Sequence, residues 1–491
     1  MTNVPTLRIT TIRPRSADPS GHYVLYWMTA FRRLRRNFSL QRAADWAREL
    51  RKPLLLVEVL PCGDRFDSDR HHHFVLGGMA DHVAQTEQAA VDYYPYVEPE
   101  PGEALRLLAA LAEKACVVVS DDYPLPTPAD ATACDDLPEV RLELIDGNGL
   151  LPLRAAEKDF ARAYSFRRFL QKTLPDHLLD APMAEPLARR KLPSLNSLPR
   201  KLTRRWPPAS EALLAGDARA LTALPIDHNV APVATRGGPR AAAATLREFL
   251  KHRLGRYHTD RNQPEEQATS GLSPYLHHGH ISAHEVFDAL TKREGWTPDR
   301  LSGRVDGKAI GWWGMSEPAE AFLDEFVTWR ELGYNFCVFR PGEHDQYDAL
   351  PDWARKTLAE HASDRREHVY SLDEFAKAQT HDPLWNAAQG ELLSEGRLHN
   401  YLRMLWGKKI LEWTRSPREA ADVMIELNNR YALDGRDPNS SSGIFWVLGR
   451  YDRPWGPERK VFGKIRYMSS ENTARKVRVR GYVDKYAPED S

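Results

Sequence analysis

Three tryptophans, Trp385, Trp406 and Trp413, fall within DPLWNAAQGELLSEGRLHNYLRMLWGKKILEWT at 382–414. Trp406 and Trp413 are seven residues apart and share one side of a helix. Two chemistries compete for such a stretch, a large apolar seam and a row of redox-active indoles. Seven residues span about 10.5 Å of helical rise, too long for one efficient electron hop. A relay would need Trp385 to intervene from a neighbouring segment. Leu398, Tyr401, Leu402, Leu405, Leu411 and Trp413 give apolar coverage broad enough for burial, so Arg403 becomes the informative residue. A buried guanidinium demands a carboxylate, and the loop LDGRD offers Asp434 and Asp437. On spacing alone the stretch reads first as a core helix with a structural ion pair.

A second signal is RYHTDRNQPEEQATSGLSPYLHHGHIS at 256–282. Thr269, Ser270, Gly271, Leu272 and Ser273 lead into Pro274, whose fixed φ suits a helix start. Hydroxyls and free N–H groups at a helix N-terminus can hold an anion such as a pyrophosphate. Tyr257 and Arg261 fall on one face at i, i+4. His277, His278 and His280, like the run His71–His73, lack the spacing that converges three ligands on one ion, and read as surface or hydrogen-bonding residues. In the C-terminal stretch, Arg453, Arg459, Arg466, Arg475 and Lys476 interleave with Trp455, Phe462 and Tyr467. That mixture suits either a phosphate-tracking surface or a solvated charged one. No GxSxG elbow or HExxH pair occurs.

The elements that must position these residues fall into two regimes. From 22 to 146, apolar runs of strand length (HYVLYWM, PLLLVEVL, CVVVSDD, VRLELIDG) alternate with helical spacing in LQRAADWAREL and RLLAALAEKA. This βαβ rhythm implies a doubly wound parallel sheet. No GxGxxG follows the first strand and no GxxxxGK[ST] occurs, which argues against a nicotinamide or P-loop nucleotide site there. Residues 155–235 turn basic and proline-punctuated, as a surface-wrapping connection would. From about 238 onward AAAATLREFLKHRL, SAHEVFDALTKR and EPAEAFLDEFVTWREL carry helical periodicity. In SPRE, Ser416, Pro417 and Glu419 predict a capping box that opens a helix running toward Asn428. The expected division is an α/β domain over 20–155, a connection over 156–237 and an all-helical domain over 238–486.

The bulk numbers agree. At 491 residues the chain has room for two or three domains. Net charge is zero, so only local clusters can attract polyanions. The four cysteines form no CxxC pair, which argues against a disulfide framework or zinc ribbon. The opening residues lack an apolar h-region and no run of 18 apolar residues exists, so a soluble, cytoplasmic monomer without membrane or metal is expected.

Taken together, SGLSPYLHHGHIS, THDPLWNAAQGELLSEGRLHNYLRMLWGKKILEWT, LNNRYALDGRDPN, DRPWG and FGKIRYM resemble the class II cyclobutane pyrimidine dimer photolyases of the photolyase/cryptochrome superfamily. The match spans most of 240–486; the N-terminal half matches weakly, in GHYVLYWM and KPLLLVEVL. The resemblance implies an α/β antenna domain and a helical FAD domain. It implies that Tyr257, Arg261 and residues 269–273 hold FAD, that Arg403 and Asp434 pair beside the isoalloxazine, that Asn428 faces flavin N5, and that Asp437 lies in the same loop. Trp406 would be the first electron donor, Trp385 the relay and Trp413 the distal, solvent-side ring. Glu325, Trp329 and Trp446 would line the pocket for a flipped dimer. Arg453, Arg466, Arg475 and Lys476 would meet UV-damaged DNA.

The chain also departs from the family pattern. Ser440-Ser441-Ser442 stand where Gly-aromatic-small is usual, Leu405 where tyrosine is usual, and His278 and His280 where Phe and Gln are usual. NTARKVRV lacks the Gly-Cys that normally precedes its basic residues. The antenna half has diverged enough that a second chromophore of deazaflavin type stays open. The implied activity is light-driven dimer repair by excited reduced FAD. The competing readings are a photolyase-like flavoprotein without repair, acting as a photoreceptor or on another substrate, and a flavin-free DNA-binding scaffold.

Overall fold

The strands of the α/β part are β1 (Ile9–Arg13), β2 (Tyr23–Met28), β3 (Leu54–Leu60), β4 (Asp92–Val97), β5 (Ala115–Asp121) and β6 (Leu142–Ile145) in a computed structural model that describes residues 4–87, 89, 91–188, 192–195 and 197–488. They form one sheet in the order β1-β6-β5-β2-β3-β4. All pairings are parallel except β1 against β6, which adds an antiparallel edge. β2, β3 and β5 are buried along their whole length, and being covered on both faces they read as near-continuous apolar runs, with the buried Glu58 and Asp121 held by hydrogen-bonding partners. The pleat sends Tyr23, Leu25 and Trp27 to one face, against Leu107, Leu108 and Leu111 of α3 (Glu103–Ala112); α1 is Phe38–Leu50 and α2 is Asp69–Thr86. Val24, Tyr26 and Met28 take the other face, against Phe38, Leu40, Ala43 and Ala44 of α1.

The chain leaves β2 toward β3 and leaves the adjacent β5 toward β6, in opposite directions, so the carboxyl ends of β2 and β5 form the sheet's switch point, where such folds usually take a ligand. Here Asp121 Oδ2 accepts the backbone N–H groups of Thr29, Ala30 and Phe31 at 3.1, 2.9 and 2.9 Å, and Oδ1 accepts the Tyr26 hydroxyl at 2.8 Å.

The chain divides into two compact units: residues 1–157, 173–247 and 272–298 in the first; 158–172, 248–271 and 299–491 in the second. Of the histidines that the sequence reading took as surface or hydrogen-bonding groups, the first unit buries His71, His72, His278 and His280 and leaves His73 and His277 half-buried; His82 and His284 are buried as well. Phe74 of α2 packs its ring 5.0 Å from His278 and 5.2 Å from His280. His280 Nδ1 accepts the Gly238 N–H at 2.9 Å, and His82 Nδ1 lies 2.6 Å from Glu58 Oε2. Burial pushes His278, His280 and His284 well below the ordinary imidazole range, with neighbouring histidines and arginines adding to the effect. Among the described residues no cluster of three or more ligating side chains could hold a metal. Of the basic connection, 189–191 and 196 lie outside the described residues.

The second unit is helical. Its site-bearing elements are α4 (Glu317–Leu323), a wider π-helical stretch Asp324–Trp329, α5 (Arg330–Phe339), α6 (Pro383–Glu395), α7 (Asn400–Trp413), α8 (Pro417–Tyr431), α9 (Pro438–Val447) and α10 (Ser470–Lys476). Asp382 caps α6 by accepting the N–H groups of Leu384 and Trp385, and Gly396 (φ 65°) ends it. The Trp-rich stretch is therefore two helices. Ser416 caps α8 through the Glu419 N–H at 3.1 Å, but Glu419 turns its carboxylate to the Arg415 N–H, so only half of the expected capping box forms. No helix among the described residues is long and apolar enough to cross a membrane.

Candidate functional site

Breaking the Trp-rich stretch at Gly396 folds α6 back beside α7. This puts Trp385 parallel to Trp406, ring centroids 6.4 Å apart and planes 4° apart, and 6.1 Å from Trp413. Trp385 donates its indole N–H to the Trp406 carbonyl at 3.0 Å, and Trp406 donates to Gln389 Oε1 at 2.9 Å. The three indoles are thus both core and contiguous. Trp413, expected on the solvent side, is buried at 3% exposure. The surface is reached by Tyr370, 5.7 Å from Trp413, and by His381, 4.9 Å from it. The Tyr370 hydroxyl lies 2.6 Å from His381 Nδ1, and His368 stacks on His381 at 3.8 Å. The sequence reading did not single out these residues, because they come from segments before α6 on either side of the short helix Leu372–Ala376.

One turn before Trp406, Arg403 meets two partners. Its Nη2 lies 3.3 Å from Asp434 Oδ1 and its Nη1 donates to Asn428 Oδ1 at 3.1 Å. Asn428 Nδ2 donates to Ser440 Oγ at 2.8 Å and to Asn429 Oδ1 at 3.1 Å. Asp437 lies in the same loop, at the start of α9. It caps α9 through the Asn439 N–H at 2.8 Å and accepts the Tyr334 hydroxyl at 3.1 Å.

Tyr257 and Arg261 flank the one-turn helix Tyr257–Asp260, with the guanidinium 5.6 Å from the Tyr257 ring centre. Arg261 forms an ion pair with Glu325 of the π-helical stretch. Burial raises the Glu325 carboxyl above its usual range, and Arg261 only partly opposes this. Trp329, on the same stretch, faces Trp446 of α9 with ring centroids 5.7 Å apart at 48°. Gly333 makes that approach possible: a Cβ there would lie 2.8 Å from both Pro438 O and Ser442 Oγ, so α5 and α9 pack backbone to backbone. Arg403, Asp434, Arg261 and Glu325 keep partial exposure (14, 16, 29 and 31%).

The whole chain can be compared with known proteins on this basis. No family model matches it. It is 33% identical over 486 residues to the deoxyribodipyrimidine photo-lyase of Methanothermobacter thermautotrophicus, covering 97% of each chain. It is 33% identical over 482 residues to that of Arabidopsis thaliana (94% of this chain, 88% of the relative) and 31% identical over 483 residues to that of Potorous tridactylus (96% and 82%). The chain belongs to the deoxyribodipyrimidine photo-lyase family.

This photo-lyase family member also shares its fold with a bacterial class III photolyase from Agrobacterium tumefaciens (TM-score 0.65, 19% identity, 96% of this chain and 87% of that one). A Synechocystis cryptochrome gives a TM-score of 0.66 at 14% identity, over 95% and 89%. Of the expected phosphate-binding residues, Thr269, Ser270 and Gly271 belong to the second unit, while Leu272 and Ser273 belong to the first. Arg253 donates to the Thr269 carbonyl at 3.0 Å. Arg453 and Arg466 stand 4.5 and 5.2 Å from the Trp455 ring centre, and Arg459 stands 4.7 Å from that of Tyr467. Arg453, Arg466, Arg475 and Lys476 are all exposed. The pocket and indole residues were within reach of sequence reasoning. Ser440 was noticed only as a departure, and the role its hydroxyl plays could not be read before α8 and α9 were seen together.

Proposed function

We propose that this chain is a class II-type, FAD-dependent lyase that splits cyclobutane pyrimidine dimers in DNA under light. The observation that carries the reading is the pocket edge. A carboxyl raised by burial, Glu325, sits on the same π-helical stretch as Trp329, and Trp329 faces Trp446 at 5.7 Å. Two indoles at that spacing offer apolar faces to unstacked bases, and a protonated or hydrogen-bonding carboxyl offers a polar contact to a pyrimidine edge. Unstacking is least costly at a damaged site, which favours dimers over intact steps.

The residues present fit a flavin. The partly exposed Arg403, with Asp434 and Asn428, provides a fixed cation and an amide beside the Trp406 helix. Tyr257 and Arg261 supply an aromatic face and a second guanidinium. Tyr257, Arg261, residues 269–273, Arg403, Asn428, Asp434 and Asp437 would hold FAD, which when bound and reduced supplies a light-driven one-electron donor. The protein would position the lesion, with the Glu325 carboxyl, raised by burial and paired with Arg261, available to hydrogen-bond a pyrimidine edge. Trp406, Trp385 and Trp413 would carry electrons inward to restore the reduced cofactor. The exposed Arg453, Arg466, Arg475 and Lys476 would contact DNA phosphates. The other proposed boundaries are an antenna-like region over 20–155 and a cofactor region over 238–486.

The experiment is direct. Purified protein loaded with FAD and irradiated with an oligonucleotide containing one thymine dimer should restore two intact bases. FAD retained without dimer splitting would select the alternative, a flavoprotein photoreceptor. The histidines at 278 and 280 and the serines at 440–442 are the departures that favour it.

A further inference from the structure

The buried amide of Asn428 is held in one orientation by partners whose polarity is unambiguous. Arg403 Nη1 can only donate, so the group it meets at 3.1 Å must be the amide oxygen. Asn429 Oδ1 accepts the Arg436 backbone N–H at 3.0 Å, so it is an oxygen, and the Asn428 group that meets it at 3.1 Å must be the nitrogen. The second amide hydrogen goes to Ser440 Oγ at 2.8 Å. Both hydrogens of the amide are therefore used within the protein. Its one remaining valence is the second lone pair of Oδ1, so Asn428 presents an acceptor and no donor to whatever lies opposite.

Ser440 is what completes this arrangement. It sits in the first turn of α9, just after the Asp437 cap, and is 5% exposed. Its hydroxyl reaches across to α8 and takes the amide hydrogen that would otherwise be free. Glycine or alanine at this position would leave Nδ2 with a hydrogen to offer outward. Deepening the reading of this cluster as a flavin site, on which it rests, the geometry points to Ser440 as a positioning residue that tunes the bound cofactor toward its reduced form. The oxidised isoalloxazine carries a bare acceptor at N5, whereas the reduced ring carries an N–H there. With Asn428 facing N5, as the family resemblance implies, an amide that offers only oxygen would complement the reduced ring and oppose the oxidised one, where two acceptors would face each other.

The test uses the full-length chain loaded with FAD, as wild type, Ser440→Ala, Ser440→Thr and Asn428→Ala. The ratio of reduced to oxidised flavin is read spectroscopically at a series of fixed potentials. Ser440→Ala should shift that ratio about fivefold toward the oxidised form, the weight of one net hydrogen bond. Ser440→Thr, which keeps the hydroxyl, should restore it. In an Asn428→Ala background the Ser440→Ala change should have no further effect, because the two act as one unit. A loaded Ser440→Ala protein with the wild-type ratio would overturn the assignment alone. So would an equal shift in the Asn428→Ala background, which would mark the residue as merely structural. Wild-type protein that takes up no FAD would overturn the flavin reading and this inference together.

Discussion

Trp385 lies parallel to Trp406 and donates its indole N–H to the Trp406 main-chain carbonyl, so one side chain both pins α6 to α7 and bridges Trp406 to Trp413. Trp385→Phe should therefore act twice. It should slow photoreduction of oxidised FAD sharply, since Trp385 is the ring that contacts both Trp406 and Trp413 among the described residues. It should also cost about 1–2 kcal/mol of stability from the lost hydrogen bond and packing. Trp406→Phe should block photoreduction as well, and transient absorption would separate the two. Unimpaired photoreduction in both variants would remove the indole row from the reaction.

Beyond Trp413 the path continues to Tyr370, whose hydroxyl lies 2.6 Å from His381 Nδ1. Lys409 Nζ stands 5.1 Å from the Trp413 ring centre, and a cation there disfavours positive charge on that indole. Tyr370→Phe should shorten the lifetime of the charge-separated state, and flash photolysis would measure it.

The raised Glu325 carboxyl gives a pH signature. Its folded pKa lies above the ordinary carboxylate value because of burial, so a growing fraction loses its proton as pH rises through that value. Repair that uses the protonated form should decline over the same interval. Glu325→Gln should be flat with pH, and Glu325→Ala should lose about tenfold in repair yield, the worth of one strong hydrogen bond. A wild-type profile as flat as that of Glu325→Gln would show that the proton is not used.

The buried histidines make the first unit acid-labile. His278, His280 and His284 titrate lower in the folded chain than the ordinary value of about 6.5. The unfolded chain then binds more protons below that pH. Their contribution is complete above about 6.5 and is lost as pH falls, with a limiting slope near 4 kcal/mol per pH unit for three protons. His278→Phe should reduce that slope by about a third. Urea titrations at a series of pH values would test it.

Lys408 shows the same sign in a different range. Burial brings its amine down to about 7, with Nζ donating to the Val447 carbonyl. Between that value and its ordinary one the unfolded chain holds the extra proton, so stability should rise with pH across the interval. At neutral pH the cost is on the order of 4 kcal/mol. Lys408→Met should accordingly raise the Tm despite losing a hydrogen bond, and calorimetry at pH 7 would decide.

Contact with DNA has its own measure. Arg453→Ala and Arg466→Ala should each lower the slope of log K against log salt by about one, with little change in preference for damaged sites. A variant that altered that preference at constant salt slope would point to base contact instead.

Much of this was legible before any coordinates, and for physical reasons. Strands buried on both faces read as near-continuous apolar runs, so β2, β3 and β5 announce themselves. β1, a half-exposed edge reading ITTIR, and β4, with Pro95 inside it, carry no such run. Arg403 could be matched to the LDGRD loop because a guanidinium on an apolar helix needs a carboxylate. Two things were out of reach. Trp413 looked terminal because Tyr370 and His381 reach it from a separate segment. The burial of His71, His72, His278 and His280, read as surface or hydrogen-bonding residues, was hidden because nothing in one dimension shows that α2 and the 272–284 segment pack together.

Asp121 carries one last implication. By turning its carboxylate into the amides of Thr29, Ala30 and Phe31, the α/β unit stoppers its own cradle with a tethered anion. A dinucleotide or phosphorylated pigment offered to that crevice would have to evict a covalently attached competitor of like charge.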